Sequence, residues 1–149
     1  MKTGTIHLHN RQRTIKVRLA WLRRFAEIAL PECALQSADG RFALRQLPEI
    51  EVAIVSDRVI ARVHEQFMNI PGPTDVITFE HGEIVMSAET AVTQARQYGQ
   101  SVDAELALYT VHGLLHLNGY EDAAANDAKR MRKTQERIMK ACFERISRP

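Results

Sequence analysis

The stretch from Val111 to Asp122, Val-His-Gly-Leu-Leu-His-Leu-Asn-Gly-Tyr-Glu-Asp, constrains this chain more than any other part of its sequence. His112 and His116 stand four residues apart in an apolar run, a spacing that places both side chains on one face of a helix, with Cβ atoms about 5–6 Å apart. Gly119 is expected to end that helix, because glycine readily takes the positive φ that a helix C-terminus often needs. The chain can then turn back over the same face and bring Asp122 beside the two histidines.

This pattern predicts a metal site. Two imidazoles and one carboxylate, with ligand atoms at about 2.0–2.2 Å, form a normal three-ligand set for catalytic zinc and leave a fourth position for water. We therefore expect His112, His116 and Asp122 to bind one divalent ion. For a single histidine in a Leu-rich helix, the alternative is a partly buried side chain that only makes hydrogen bonds. The coincidence of the histidine pair, the glycine and the carboxylate favours the metal.

Other residues near this stretch have candidate roles. Zinc is the expected ion, with Mn²⁺, Ni²⁺ and Fe²⁺ as alternatives that the same ligands suit. Glu121 is the nearby candidate for a general base, or else a hydrogen-bond partner of His116. His64 and His81 are candidate fourth ligands, although histidines on the surface are commoner.

Several motifs together resemble one known family. Residues 112–122, HGLLHLNGYED, resemble the signature HGxLHLxGYDH of the YbeY family of metal-dependent single-strand endoribonucleases. Residues 73–79, PTDVITF, are similar to the family's PTDVLSF strand, and residues 82–85, GEIV, to its GDIVI. Met131 and Glu136 fall where the family carries a closing helix. The motifs occur in the family's order.

The resemblance covers roughly residues 50 to 140. It implies a zinc-dependent single-strand endoribonuclease of rRNA maturation and ribosome quality control, in which the metal activates water or polarises a phosphate. It also implies ribosomal RNA and ribosomal subunits as partners, without a membrane. The expected fold is a small, mostly four-stranded mixed sheet with helices packed on it.

Two positions depart from the family's pattern. The family's third ligand is a histidine, and this chain has Asp122 there. The family also carries an arginine shortly before the TDV strand, thought to contact the substrate phosphate. Counting back from Thr74 without a gap, that position is Met68, and no arginine stands between Arg62 and Arg96. The metal site therefore carries over to this chain better than the phosphate contact does.

Two other function classes remain open. A metallopeptidase is favoured by the His-xxx-His-xx-Gly-xx-Asp spacing, but Gly113 stands where that class has its glutamate base. A ribosome-associated binding protein with a structural metal is favoured by Met68 in the arginine's place.

Charge is distributed unevenly along the chain. Residues 1–62 carry net +5 and residues 129–149 net +6, whereas residues 63–128, which contain the ligands, carry net −9. The acidic middle would attract cations, and the basic ends could hold an RNA backbone electrostatically. Alternatively, the Lys and Arg side chains only coat amphipathic helices.

The order of elements predicts one α+β domain over residues 1–149, with about four strands and about five helices. Alternation and apolar runs predict strands at 4–9, 49–55, 75–80 and 83–87, with His7 and His9 on the exposed face of the first strand. Helical stripes predict helices at 14–30, 57–67, 88–98 and 101–118 and a last helix after residue 126, with Ser56, Ser87, Ser101 and Asn126 as N-caps of the last four. No run of about 18 apolar residues occurs, and we expect a cytoplasmic protein. Cys33 and Cys142 are expected to be structural thiols.

Overall fold

A computed structural model describes residues 3–148. Within this range, four short strands form the sheet on which the helices pack. The strands are β1 (Thr5–Asn10), β2 (Glu49–Val55), β3 (Val76–Phe79) and β4 (Glu83–Ser87). Their spatial order is β1-β2-β4-β3, with β1 and β4 parallel to β2, and β3 antiparallel to β4. The sheet is therefore mixed and four-stranded, as predicted.

Five α-helices in the described part of the chain accompany the sheet and confirm the predicted α+β class. They are α1 (Leu19–Ala34), α2 (Asp57–Met68), α3 (Ala88–Gln97), α4 (Val102–Leu117) and α5 (Ala125–Ile146), and a short 3₁₀ helix covers Ala43–Gln46. The predicted caps of α2, α3 and α4 are confirmed, because the hydroxyls of Ser56, Ser87 and Ser101 each accept a hydrogen bond from a backbone N–H in the first turn.

Helix α4 lies in the middle of the core, where α1, α3, α5 and the sheet all contact it. Leu106, Val111 and Leu114 are completely buried. At Gly113 the helix approaches the sheet so closely that a Cβ atom would lie 2.9 Å from Cδ1 of Ile84. On the opposite face of the sheet, α2 covers a smaller apolar cluster. The helix that carries the two histidines is thus fixed by the core itself.

The predicted bounds of α1 were wrong at both ends. The helix begins at Leu19 rather than near Thr14, because the Gln12 side chain bonds both the N–H and the C=O of Ile15 and holds that segment as a turn. It also continues through Pro31 to Ala34. Proline removes one backbone bond, but the extra turn buries Cys33 and Ala34, which offsets that loss.

The start of α5 was also predicted wrongly. Asn126 is not its cap; the helix begins at Ala125 and the preceding residue makes no side-chain cap bond. A cap contributes only about 1 kcal/mol, so the burial of Met131, Ile138 and Cys142 decides where the helix runs.

Smaller predictions are confirmed. Cys33 and Cys142 are buried free thiols, and burial raises the pKa of each, that of Cys142 to about 11. His7 and His9 lie on the outer face of β1 with their side chains 40 and 44 % exposed. Within residues 3–148, no helix is long and apolar enough to cross a membrane. The cytoplasmic location stays a prediction.

Candidate metal centre

Three ligand atoms converge where α4 ends and the chain turns back. Nε2 of His116 lies 3.0 Å from Nε2 of His112, and Oδ2 of Asp122 lies 3.5 Å from each of them. Ligands about 2.0–2.2 Å from a tetrahedral ion are separated by roughly 3.3–3.6 Å. The three side chains therefore already stand at nearly the spacing that a small divalent ion requires, as the sequence spacing predicted.

The turn after α4 orients His116. Gly119 takes φ +93°, and the backbone N–H of Tyr120 donates to the carbonyl of Leu115. The carbonyl oxygen of Tyr120 consequently points back along the helix, 2.8 Å from Nδ1 of His116. Since a carbonyl only accepts, Nδ1 carries the proton of a neutral His116 and Nε2 presents its lone pair.

His112 is oriented in the same way by helix α5. Its Nδ1 lies 2.9 Å from Oε1 of Gln135, which holds the ring with Nε2 toward His116. Burial, and then the neighbouring His116, lower the pKa of His112, so that the ring is held in the neutral form that binds metal. With both Nδ1 atoms protonated, two lone pairs face each other across 3.0 Å. A cation between them would relieve that repulsion, which is the strongest sign that the residues fit a metal.

Asn118 fixes the end of α4, a role that the sequence analysis did not recognise. Its fully buried amide accepts from the N–H of Leu44 and donates to the carbonyls of Cys33 and Gln36. One side chain thereby joins the ends of α1 and α4 to the 3₁₀ helix. The only hint in the sequence was a polar residue at the end of an apolar run.

Two hollows flank the ligand cluster. The first, of about 330 Å³, is lined by His112, Asp122, Ala128, Met131, Arg132 and Gln135. The second, of about 360 Å³, lies on the side of His116, and Glu121, Glu80, Asp39 and Arg41 also line it. Because both hollows open to solvent, the cluster has access for a substrate or water on either side.

The other predicted residues are more remote from the cluster. Glu121 is exposed and shares the second hollow with His116, but Tyr120, not Glu121, is the hydrogen-bond partner of His116. Nδ1 of His64 bonds the carbonyl of Gly72, and His81 pairs with Glu83 at 3.4 Å. Neither belongs to a group of three possible ligands in the described chain, so a fourth ligand from His64 or His81 is not supported.

A second group of possible ligands lies on the outer face of the sheet. His7, Glu49 and Glu51 bring one ligand atom each within 4.8 Å of one another. Glu51 already pairs with His9 at 2.7 Å, and both glutamates are exposed. This group is looser than the cluster at the end of α4 and has the character of a solvated His–Glu surface.

Comparison with known proteins decides the family. Residues 7–142 match the sequence profile described as endoribonuclease YbeY. This chain belongs to the YbeY family. The predicted resemblance is confirmed, and so is the prediction of a nuclease, a hydrolase of phosphodiester bonds, at the level of the family.

Curated relatives agree with the profile. The chain is 33 % identical to the endoribonuclease YbeY of Nocardia farcinica, over 72 % of this chain and 68 % of that protein. It is 35 % identical to the endoribonuclease YbeY of Saccharopolyspora erythraea, over 75 and 74 % of the two chains. The solution structure of TM1509 from Thermotoga maritima superposes with a TM-score of 0.65 at 23 % identity and covers 94 % of this chain and 90 % of that one, which shows a shared fold.

Proposed function

We propose that this YbeY-family chain is a metal-dependent endoribonuclease that cuts single-stranded segments of ribosomal RNA during rRNA maturation and ribosome quality control. His112, His116 and Asp122 would hold one Zn²⁺, within a single hydrolase domain over residues 1–149 that acts in the cytoplasm. The observation that supports this most directly is the convergence of three ligand atoms at 3.0–3.5 Å in a member of a family of endoribonucleases.

The chemistry follows from the ligand set. A divalent ion bound there supplies Lewis acidity toward a phosphate oxygen and lowers the pKa of a nearby water. Asp122 contributes one negative charge, so the ligand set is more anionic than three histidines would be. Tyr120 and Gln135 keep the two rings in their metal-binding tautomers through the bonds to Nδ1.

Glu121 is the proposed proton acceptor. Its exposed carboxylate lines the hollow on the side of His116. From that hollow it can take a proton from water without being a metal ligand itself. A peptidase of this type would need a glutamate at position 113. The glycine there packs against Ile84, and the position has no room for a side chain. The metallopeptidase alternative therefore lacks its base.

A ribosome-associated protein with a structural metal is the second candidate. It is favoured by Met68, which stands 46 % exposed at the end of α2 beside two other exposed apolar side chains, Phe67 and Ile70. An apolar surface of this kind suits protein contact better than phosphate contact.

Incubation with ribosomal RNA separates the two candidates. The purified protein, loaded with zinc, should cleave single-stranded regions, and a chelator should abolish cleavage, which added zinc restores. Elemental analysis should find one ion per chain. Intact RNA in the presence of a fully loaded protein, together with co-sedimentation on ribosomal subunits, would favour the binding protein and overturn the nuclease.

A further inference from the structure

A third hollow, larger than the two that flank the ligand cluster, lies next to one of them. It measures about 710 Å³ and lies between α5 and the turn that joins α3 to α4. It is lined by apolar, aromatic, cationic and acidic side chains: Tyr98, Gln100, Glu105, Leu108, Arg132, Gln135, Glu136, Met139 and Phe143. Arg132 and Gln135 also line the smaller hollow that contains His112 and Asp122. The two hollows are therefore adjacent, with Arg132 and Gln135 at their border, and we call the pair of hollows the groove.

Arg132 is a free cation at the border of the two hollows. Its side chain is exposed, and it makes no hydrogen bond or ion pair with any other residue in the described part of the chain. Glu105 and Glu136 line the larger hollow with Arg132, but neither carboxylate forms an ion pair with it in the described part of the chain. A phosphate beside the ligand cluster would therefore meet, at Arg132, a guanidinium with no ion pair to break.

The rest of the groove suits a nucleobase. Leu108, Met139 and Phe143 give it an apolar floor, and Tyr98 stands at its rim with 66 % of its surface exposed. Exposed aromatic rings stack on the faces of unpaired bases in proteins that bind single-stranded RNA. The volume lies within the roughly 300–1,000 Å³ typical of sites for small organic ligands.

We infer that this groove binds the nucleotide next to the scissile phosphate, with Arg132 on the phosphate and Tyr98 stacked on the base. The inference rests on the proposed endoribonuclease function. Arg132 would then supply a cation for the substrate phosphate in a chain that has Met68 in place of the family's arginine. The ligand class is a single-stranded ribonucleotide, because an unpaired base enters the groove without the free-energy cost of breaking its pair and its stack.

Arg132 is tested by binding to a fluorescein-labelled single-stranded RNA in a chelating buffer, measured by anisotropy. Arg132→Ala should weaken binding about 10-fold and lower the slope of log affinity against log salt concentration by about 0.7, the value for one phosphate contact on a single strand. Arg132→Lys should recover part of the affinity. Lys133→Ala removes the same charge from the neighbouring exposed position of α5, which lines neither hollow, and should change affinity less than twofold.

Tyr98 is tested by a substrate cycle. An abasic nucleotide is placed at each position around the cleavage site in turn. At one flanking position, removal of the base should reduce cleavage by the wild-type protein about 10-fold, which corresponds to the loss of one base–aromatic stack. At the same position, removal of the base should not reduce cleavage by Tyr98→Ala any further. Additive losses at every position would overturn the assignment of the groove to a base.

The outcomes separate this inference from the function on which it rests. Equal RNA affinity and cleavage for Arg132→Ala, Lys133→Ala and the wild type would overturn the role of Arg132 while leaving a metal-dependent nuclease in place. A wild-type protein that holds zinc but never cleaves RNA would overturn the proposed function. The metal content of Arg132→Ala should equal that of the wild type, which shows that lost cleavage does not come from lost metal.

Discussion

Nδ1 of His116 lies 2.8 Å from the carbonyl oxygen of Tyr120, four residues further along the chain. This bond exists because the backbone reverses at Gly119, and it links the end of helix α4 to the tautomer of a metal-ligand candidate. The loop that brings Asp122 to the site therefore also sets the direction of the lone pair on His116.

Gly119→Ala should lower zinc affinity about 10-fold or more, although Gly119 supplies no ligand atom. An alanine at φ +93° is strained, and its Cβ atom would also lie 2.7 Å from Cγ of the exposed Asp39 side chain. Relief of the backbone strain shifts the turn that carries the Tyr120 carbonyl, and the bond to Nδ1 of His116 weakens. Competition with a chromogenic chelator measures the affinity. Gly99→Ala is the matched control, because Gly99 also has positive φ but open space around it. It should lower stability and leave zinc affinity unchanged; equal affinities for both variants would contradict the coupling.

Gln135→Ala should weaken zinc binding by about 10- to 100-fold, the range seen when the partner of a ligating histidine is removed. The bond to Nδ1 of His112 is lost, and the ring can rotate or change tautomer. Gln135→Glu keeps an acceptor at that place and should retain the affinity. If both variants bind zinc as the wild type does, the contact with His112 has no part in metal binding.

The Asp122 series tests the third ligand. Asp122→Ala should weaken metal binding at least about 10-fold, while Asp122→His should keep or tighten zinc binding. A carboxylate suits harder ions, so the wild type should retain Mn²⁺ better relative to Zn²⁺ than Asp122→His does. Elemental analysis after dialysis against each ion measures this. Unchanged metal content in Asp122→Ala would exclude Asp122 as a ligand.

Glu105 predicts a pH dependence of stability. This side chain is only 4 % exposed, and burial raises the pKa of its carboxyl above that of an exposed glutamate. The unfolded chain then loses its proton first as pH rises from about 4, so the folded state loses stability until the raised pKa is passed. Urea unfolding of Glu105→Gln, which cannot ionise, should therefore show a growing advantage over the wild type between about pH 4 and neutrality. A constant difference would contradict this.

Gly113→Ala should destabilise the fold by about 1–2 kcal/mol, because overpacking against the fully buried Ile84 costs more than the helix propensity gained. Urea unfolding measures the change. Ile84→Val removes Cδ1, the atom nearest to the added Cβ at 2.9 Å. The double variant should therefore lose less free energy of unfolding than the two single variants lose in sum. Simple additivity would show that the close approach of α4 to β4 is not the cause.

The convergence of the three candidate ligands was predictable because its geometry is local. The spacing of His112 and His116 sets their common face, and Gly119 supplies the reversal that returns Asp122, so no distant part of the chain had to be known. Strands and most capped helices were predictable for the same reason.

What the sequence could not predict depends on packing between distant segments. Gln135 meets His112 only through the docking of α5 on α4, and the groove at Arg132 needs the same contact. The start of α1 was mispredicted because the amide of Gln12 competes locally for the backbone of Ile15.

Helix α4 is at once the central helix of the core and the carrier of both imidazoles. A cation that favours the native arrangement over the denatured chain must then stabilise the whole molecule by mass action, by roughly 2.7 kcal/mol at a free concentration 100 times its dissociation constant. The melting temperature of this protein should therefore rise with the free zinc concentration of its solution. Calorimetry alone then reports the fraction of molecules that hold a metal ion.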